Sequence, residues 1–171
     1  MDLESIKQLN EFIGKEFFTW LLYKIEISSG LIRLPKHKEI EIYFDRRIVL
    51  EKKGEKATDK ITYNGNIKES TEVKSGLAAG KQITEARINI SRGPAEWNFT
   101  LKADSLNFSS LKLSQFPGER DDKEGLFYEN MSKIEEVAAI MDELFEIFIN
   151  VRTSHKWDEE IVKIKEFVLQ K

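Results

Sequence analysis

The spacing of apolar and polar residues divides the chain into a helical start, a β region and a helical end. Residues 3–13 predict a short helix or an ordered arm, which Gly14 interrupts, and residues 15–27 predict a second helix. Apolar residues occupy two faces of the 15–27 segment, a pattern typical of a centrally buried helix. Ser28-Ser29-Gly30 then supplies the expected stop.

Alternating apolar and polar residues predict the first strands. Residues 39–44 and 48–51 are expected to pair as a hairpin around a turn at Asp45-Arg46-Arg47. Residues 60–63 predict a further short strand, closed by a turn at residues 64–66.

A further helix and a second hairpin follow along the chain. Residues 69–80 predict a helix that opens near Ser70 and has Gly80 as its C-cap. Two longer strands, 83–91 and 96–103, carry apolar residues at every second position and are joined across residues 92–95.

Beyond a Pro/Gly-containing boundary at residues 115–125, the pattern is purely helical. Residues 126–152 predict a long amphipathic helix, and residues 157–168 a final short one. The seam of the long helix, spaced alternately by four and three, comprises Phe127, Met131, Ile134, Ala138, Met141, Phe145 and Phe148.

These elements predict an α+β fold: an N-terminal helix, a mainly antiparallel sheet of hairpins, a long C-terminal amphipathic helix and a final short helix. A length of 171 residues suits one domain, with a helix-and-sheet body over 1–113 and a helical part over 126–171. The apolar seam could pack on the sheet of its own chain or between two chains, and the pattern leaves both open.

Composition narrows the function classes. With 40% hydrophobic residues and no cysteine, the chain can build a core but no disulfide, thiolate metal site or cysteine nucleophile. The longest apolar run near the start, residues 17–23, is too short to span a bilayer, and no secretion signal is evident. We therefore expect a cytoplasmic protein.

The charge is unevenly distributed along the chain. Residues 1–112 carry a net charge of +3 and residues 113–171 a net charge of −6. This asymmetry fits either nucleic-acid binding or two ordinary solvated surfaces.

The sequence contains no set of residues with the spacing that a catalytic site requires. His37 and His155 lack ligand-like spacing and are expected at the surface near the ends of elements. Gly76 to Lys81 resembles a phosphate-binding loop only loosely and is interpreted as a helix C-cap followed by a surface lysine. The carboxylates of residues 119–124 leave a metal-dependent nuclease as a remote alternative. The sequence thus predicts a binding protein, not an enzyme, with no cofactor, metal or evident small-molecule substrate.

Basic side chains are the better candidates for a functional surface. They cluster near residues 36–38, at the predicted hairpin tip and just beyond it, where they could contact phosphates or form a solvated charged face among interleaved acidic residues. The candidate DNA-binding residues are Lys36, Lys38, Arg46, Arg47, Lys52, Lys53, Lys81 and Arg87.

Several short motifs carry a resemblance to a known family. Residues 14–21 (GKEFFTWL), residues 79–81 (AGK), residues 97–103 (WNFTLKA) and residues 106–113 stand in matching order. Over about residues 12–150 the chain resembles short bacterial RdgC-like recombination-associated proteins, matching the C-terminal half of that family. Lys81 is the basic residue that lies inside a matching motif.

The resemblance implies a homodimer that encloses double-stranded DNA, binds it with little sequence preference and restrains recombinase loading. The resemblance covers none of the family's usual N-terminal half, and the chain is acidic overall, with a net charge of −3. The alternative function is a protein-interaction module that acts on recombination or defence proteins without binding DNA.

Overall fold

The structure, a computed structural model, describes residues 2–65, 71–114 and 122–170. These residues form an α+β fold of four helices and a six-stranded, mostly antiparallel sheet, as the sequence predicts. The elements in chain order are α1 (Leu3–Ile27), β1 (Leu31–Leu34), β2 (Lys38–Lys53), β3 (Thr58–Gly65), α2 (Thr71–Ala78), β4 (Gln82–Arg92), β5 (Ala95–Lys102), β6 (Phe108–Leu113), α3 (Lys123–Arg152) and α4 (Trp157–Leu169).

The sheet is organised around β2. Strand order is β1-β2-β4-β5-β6, and β3 pairs with β2 on the edge that β1 also uses. β1 pairs with the first residues of β2, and β3 with the last eight. Strand β4 runs along the other edge, from Glu41↔Ser91 to Glu51↔Gln82. We refer to the Ser91 side as the upper end of the sheet and to the Gln82 side as the lower end.

One face of the sheet carries the hydrophobic core. Alternate residues of the central strands point to this face, among them Ile42 of β2, Ile88 of β4 and Phe99 of β5, and all three are buried. A single cluster of buried residues joins them to α1, α3 and α4. The predicted body and the predicted helical part therefore share one core. No helix in the described ranges combines the length and apolar character needed to cross a membrane.

The prediction that Gly14 interrupts the first helix is wrong, because α1 runs unbroken from Leu3 to Ile27. Gly14 is buried where the helix crosses the end of β5. A Cβ built on Gly14 would overlap the carbonyl oxygen of Ala103 and lie 2.7 Å from its carbonyl carbon. The glycine is therefore needed for close approach of helix and strand, and does not break the helix.

The predicted hairpin around Asp45-Arg46-Arg47 is also wrong, since residues 38–53 form one strand. The true partners of this strand are β1, which the sequence did not reveal, and β3 and β4. The predicted turn is a bulge: residues 45–47 stand against Arg87 alone, between the pairs Phe44↔Ile88 and Ile48↔Ala86. The chain does not reverse at residues 45–47. Strand β2 continues through the bulge, and neighbouring strands pair with it both before and after these residues.

The helical end follows the prediction closely, and only half of its seam is buried. α3 spans Lys123–Arg152 and breaks at Thr153, and α4 follows. The second half of the seam, with Met141 and Phe148, packs within the chain, whereas Phe127 and Met131 in the first half are exposed. The described residues do not include 66–70 or 115–121. The predicted turn and boundary residues that fall in these two segments therefore lie outside the described part of the chain.

Candidate nucleic-acid interface

The second face of the sheet is polar and forms a concavity over its central strands. Side chains that alternate with the core residues point to it, such as Arg87 beside the buried Ala86 and Ile88. Its volume is about 1010 Å³. We call this surface the open face; it is lined by Tyr43, Asp45, Arg46, Arg47, Asn64, Gly65, Arg87, Asn89, Glu96, Asn98 and Lys112.

The bulge in β2 brings two arginines to the rim of the open face. Arg46 adopts a left-handed backbone with φ +49°, and 84% of its side chain is exposed. Its guanidinium lies 3.7 Å from Asp45, its recorded partner in the described part of the chain. Arg47 follows and pairs through Nε with Glu85 at 3.0 Å. Because two extra residues are accommodated here, the chain can aim both arginines toward solvent beside the neighbouring strand.

Arg87 occupies the centre of the open face and is held from two sides. Its Nε donates a hydrogen bond to Asn98 Oδ1 and lies 3.8 Å from Asp45 Oδ2. Asn98 in turn donates through Nδ2 to Asp45 Oδ2 at 2.8 Å. The contacts of Arg47 with Glu85 and of Arg87 with Asn98 and Asp45 are made through Nε.

The charge of the open face is positive although that of the chain is negative. Four cationic side chains line it, Arg46, Arg47, Arg87 and Lys112, against the two carboxylates of Asp45 and Glu96. A third carboxylate, that of Glu85, pairs with Arg47 at the rim. The remaining positive charge favours an anionic partner. Lys112 was not among the predicted residues; its cross-strand pairing with Asn98 places it on this face.

A row of polar side chains, of which Asn89 is buried, lies beside the arginines. Asn89 donates through Nδ2 to Glu96 Oε1 at 2.7 Å, while its Oδ1 is buried without a hydrogen-bond partner in the described structure. Burial first, and then the nearby carboxylates of Glu96 and Asp45, raise the pKa of the Tyr43 phenol. Tyr43 therefore keeps its proton at neutral pH and is available as a hydrogen-bond donor.

The structure does not bring the other five predicted residues to the open face. Lys38 and Lys53 mark the two ends of β2, about 50 Å apart at roughly 3.3 Å per residue. Lys36 reaches Glu146 on α3 at 3.2 Å, Lys53 reaches Glu11 on α1 at 3.0 Å, and Lys52 donates to the carbonyl of Ala79. Basic residues that lie close together in the sequence therefore do not form one basic surface patch.

Lys81 was expected to be a surface lysine after a helix C-cap, and the second half of that expectation is wrong. The cap is present, because Gly80 has φ +83° and its N–H donates to the carbonyl of Leu77. The side chain of Lys81, however, is only 7% exposed and forms an ion pair with Asp59. The aliphatic part of the lysine packs inward, and its ammonium is neutralised by a residue of β3. This burial could not be predicted, because it depends on a carboxylate from another strand.

His37 is half-buried, contrary to the expectation of a surface histidine, because it pairs with a carboxylate 106 positions away in the sequence. Glu143 on α3 is 4% exposed, with Oε2 2.5 Å from His37 Nδ1 and Oε1 accepting the Lys36 N–H at 2.7 Å. Burial raises the pKa of Glu143, but these two hydrogen bonds outweigh it and hold the pKa below its ordinary value of 4.5. The sequence carries no local signal for this pair, because its two residues lie 106 positions apart.

The structure describes only the second half of the acidic loop of residues 119–124. Glu119 and Asp121 lie outside the described residues, while Asp122 accepts the N–H of Gly125 at 2.9 Å and caps α3. Across residues 2–65, 71–114 and 122–170 no group of three potential metal ligands comes together.

Comparison of the chain with models of protein families, with curated proteins and with solved structures gives no match. We therefore infer a function from the geometry of the open face.

Proposed function

We propose that this protein binds duplex DNA through the open face, without sequence preference and without catalysis. The observation that carries the proposal is the meeting of three predicted arginines, Arg46, Arg47 and Arg87, in one concavity with Lys112. Cationic side chains contact phosphates whatever the base sequence, and such contacts supply most of non-specific DNA affinity.

The way in which two of these arginines are held supports a phosphate partner. Arg47 and Arg87 are held through Nε by Glu85 and Asn98, which restrains both side chains before binding. A guanidinium group carries further N–H donors on its terminal nitrogens, and paired donors of this kind match two phosphate oxygens. The side chains therefore lose little rotamer freedom on binding, which favours affinity.

A protein that covers duplex DNA without sequence preference limits the access of other proteins to it. This is the role that the RdgC-like resemblance implies for recombination, and the proposal adopts it together with a cytoplasmic location. The carboxylates on the open face weaken the binding, because they compete with phosphates for the same cations. The phosphate contacts that remain make the binding dependent on salt.

The test is fluorescence anisotropy of labelled duplexes of unrelated sequence, titrated with the protein at several salt concentrations. Equal affinity for the duplexes and a linear fall of log K with log salt are expected. The variant Arg47→Gln with Arg87→Gln should reduce the slope by about 1.8, since each phosphate contact contributes about 0.9.

The matched control is Lys163→Gln with Lys165→Gln, which removes the same charge from exposed positions of α4, a helix on the core side of the sheet. This control should keep the wild-type slope. Absence of binding at low salt, or the same loss of slope in both variants, would overturn the proposal. A partner recovered after nuclease treatment, with no DNA binding, would favour the protein-interaction alternative.

A further inference from the structure

The floor of the open face holds a hydrogen-bond acceptor that the fold leaves unused. Asn89 is 5% exposed, and its side chain forms part of the lining of the concavity. Its Nδ2 donates to Glu96 Oε1 at 2.7 Å, whereas its Oδ1 is buried without a hydrogen-bond partner among the described residues. A buried acceptor without a donor is costly and uncommon in folded proteins, so this oxygen is suited to a donor that a ligand supplies.

The contact with Glu96 fixes the direction in which the Asn89 amide points. An ionised carboxylate accepts hydrogen bonds and donates none, so the amide nitrogen must face Glu96 and the amide oxygen must face away from it. Exchange of the two amide atoms would set two acceptors against each other. The unused oxygen is therefore oriented before any ligand arrives, and such orientation in advance favours binding.

Tyr43 supplies a hydrogen-bond donor next to this acceptor. It is the cross-strand neighbour of Asn89 and lines the same concavity, with 36% of its surface exposed. Directly paired residues on one face of a sheet have Cβ atoms about 4.5–5.5 Å apart, so the phenol and the amide can contact one ligand. Because the tyrosine ring is partly exposed, it can also turn aside and admit a ligand atom to the buried amide oxygen.

Charge and exposure change together between the rim of the open face and its floor. Arg46 and Arg47 stand at the rim, with 84% and 48% of their side chains exposed. Asn89 on the floor is neutral and buried. Arg87 lies two residues from Asn89 on β4, about 7 Å away. The face therefore offers cations for a phosphate and, further in, a donor and an acceptor for an uncharged polar group.

We propose that the open face takes up an unpaired nucleotide of duplex DNA, with its phosphate on the arginines and the edge of its base on Asn89 and Tyr43. This inference rests on the proposed function, since it concerns the same face. Every base carries an N–H donor beside an acceptor on its pairing edge, and a base outside the stack is recognised through that edge. The concavity of about 1010 Å³ has room for one nucleotide, since pockets for small ligands occupy about 300–1,000 Å³.

Other partners match fewer of these groups. A fully paired duplex uses the pairing edges of its bases internally, so it engages the cations of the rim and leaves the floor empty. The Asn89 amide lies in the floor of a sheet, and not on a helix or ribbon that could enter a groove of the duplex. An unmodified peptide could donate a backbone N–H to Asn89 but brings no phosphate to the arginines.

The experiment is fluorescence anisotropy with three labelled duplexes of one sequence: fully paired, with a single-nucleotide bulge, and with an abasic bulge. The abasic bulge has the same phosphates and a similar flexibility but lacks the base. Wild type should bind the single-nucleotide bulge about tenfold more tightly than the other two, the change in Kd that one well-formed pair of hydrogen bonds supplies. The preference should be similar for the four bases, because each carries the donor and the acceptor.

Two variants separate recognition of the base from folding. Asn89→Ala removes the acceptor, and Tyr43→Phe removes only a hydroxyl from a partly exposed ring. Each should reduce the preference to about twofold or less and keep the wild-type affinity for the paired duplex, which also reports a folded protein. A matched control, Asn150→Ala, alters an exposed asparagine of α3 and should keep the full preference.

The outcomes distinguish this inference from the proposed function. If wild type binds the paired and bulged duplexes equally, or if either variant keeps the full preference, the uptake of an unpaired nucleotide is wrong and the binding of duplex DNA stands. If no duplex binds at low salt, the proposed function is wrong, and this inference is wrong with it.

Discussion

Replacing Gly14 by alanine sets two effects of known size against each other. Alanine is favoured over glycine inside a helix by about 1 kcal/mol. The added methyl group, however, would overlap the backbone carbonyl of Ala103, which cannot move aside easily because the Ala103 N–H is bonded to the carbonyl of Thr84 at 2.9 Å. Overpacking of a well-filled contact costs about 1–3 kcal/mol, and a backbone neighbour puts this site at the upper end. We expect a net loss of about 2 kcal/mol.

Urea denaturation followed by tryptophan fluorescence measures this loss, since Trp20 and Trp97 are both buried. The expected decrease corresponds to a fall of about 4–8 °C in Tm for a chain of this size. Asn10→Ala is the control: it lies exposed on the same helix, so propensity alone should raise stability by about 0.5 kcal/mol. A Gly14→Ala variant as stable as wild type, or more stable, would refute the close approach of α1 to Ala103.

Two further predictions concern the contacts that join α3 to the rest of the fold. The pKa of Glu143 is lowered in the folded state, so its contribution to the free energy of unfolding is present above about pH 4.5 and is lost as the pH falls through the folded value. Glu143→Gln should therefore flatten the fall in stability on acidification, and an unchanged pH profile would contradict this. Trp97→Phe removes the hydrogen bond from Nε1 to the Lys133 carbonyl, 2.9 Å long, and part of a buried ring. It should cost about 1–3 kcal/mol in urea denaturation, and a loss below 0.5 kcal/mol (about the error of the method) would count against that bond.

Most helix ends could be predicted because their signals are local, whereas the break placed at Gly14 was wrong because that glycine answers to the distant Ala103. The stop at Ser28-Ser29-Gly30, the Gly80 cap and the seam of residues 126–152 each depend on neighbours within a few turns, and the structure has all three. The hairpin across residues 92–95 is equally local. The burial of only half the seam could not be predicted, since periodicity marks an apolar face without showing what covers it.

The errors fall where distant residues decide the outcome. Charged residues at positions 45–47 are compatible with a turn and with a bulge, and the choice depends on β3 and β4, which come later in the chain. The prediction of the candidate DNA-binding residues was also decided by distant parts of the chain. Of the basic residues selected by clustering along the chain, those at the bulge meet Arg87 on the open face, whereas Lys36 and Lys53 are drawn to carboxylates of α3 and α1.

The central claim is that the open face is the surface that binds DNA, and an NMR titration of the protein with a short duplex tests it most directly. The account predicts that the Nε–H signals of Arg47 and Arg87 and the side-chain amides of Asn89 and Asn98 shift first, and that added salt reverses the shifts. Shifts confined to α4 or to the helix side of the sheet, or none at low salt, would contradict it.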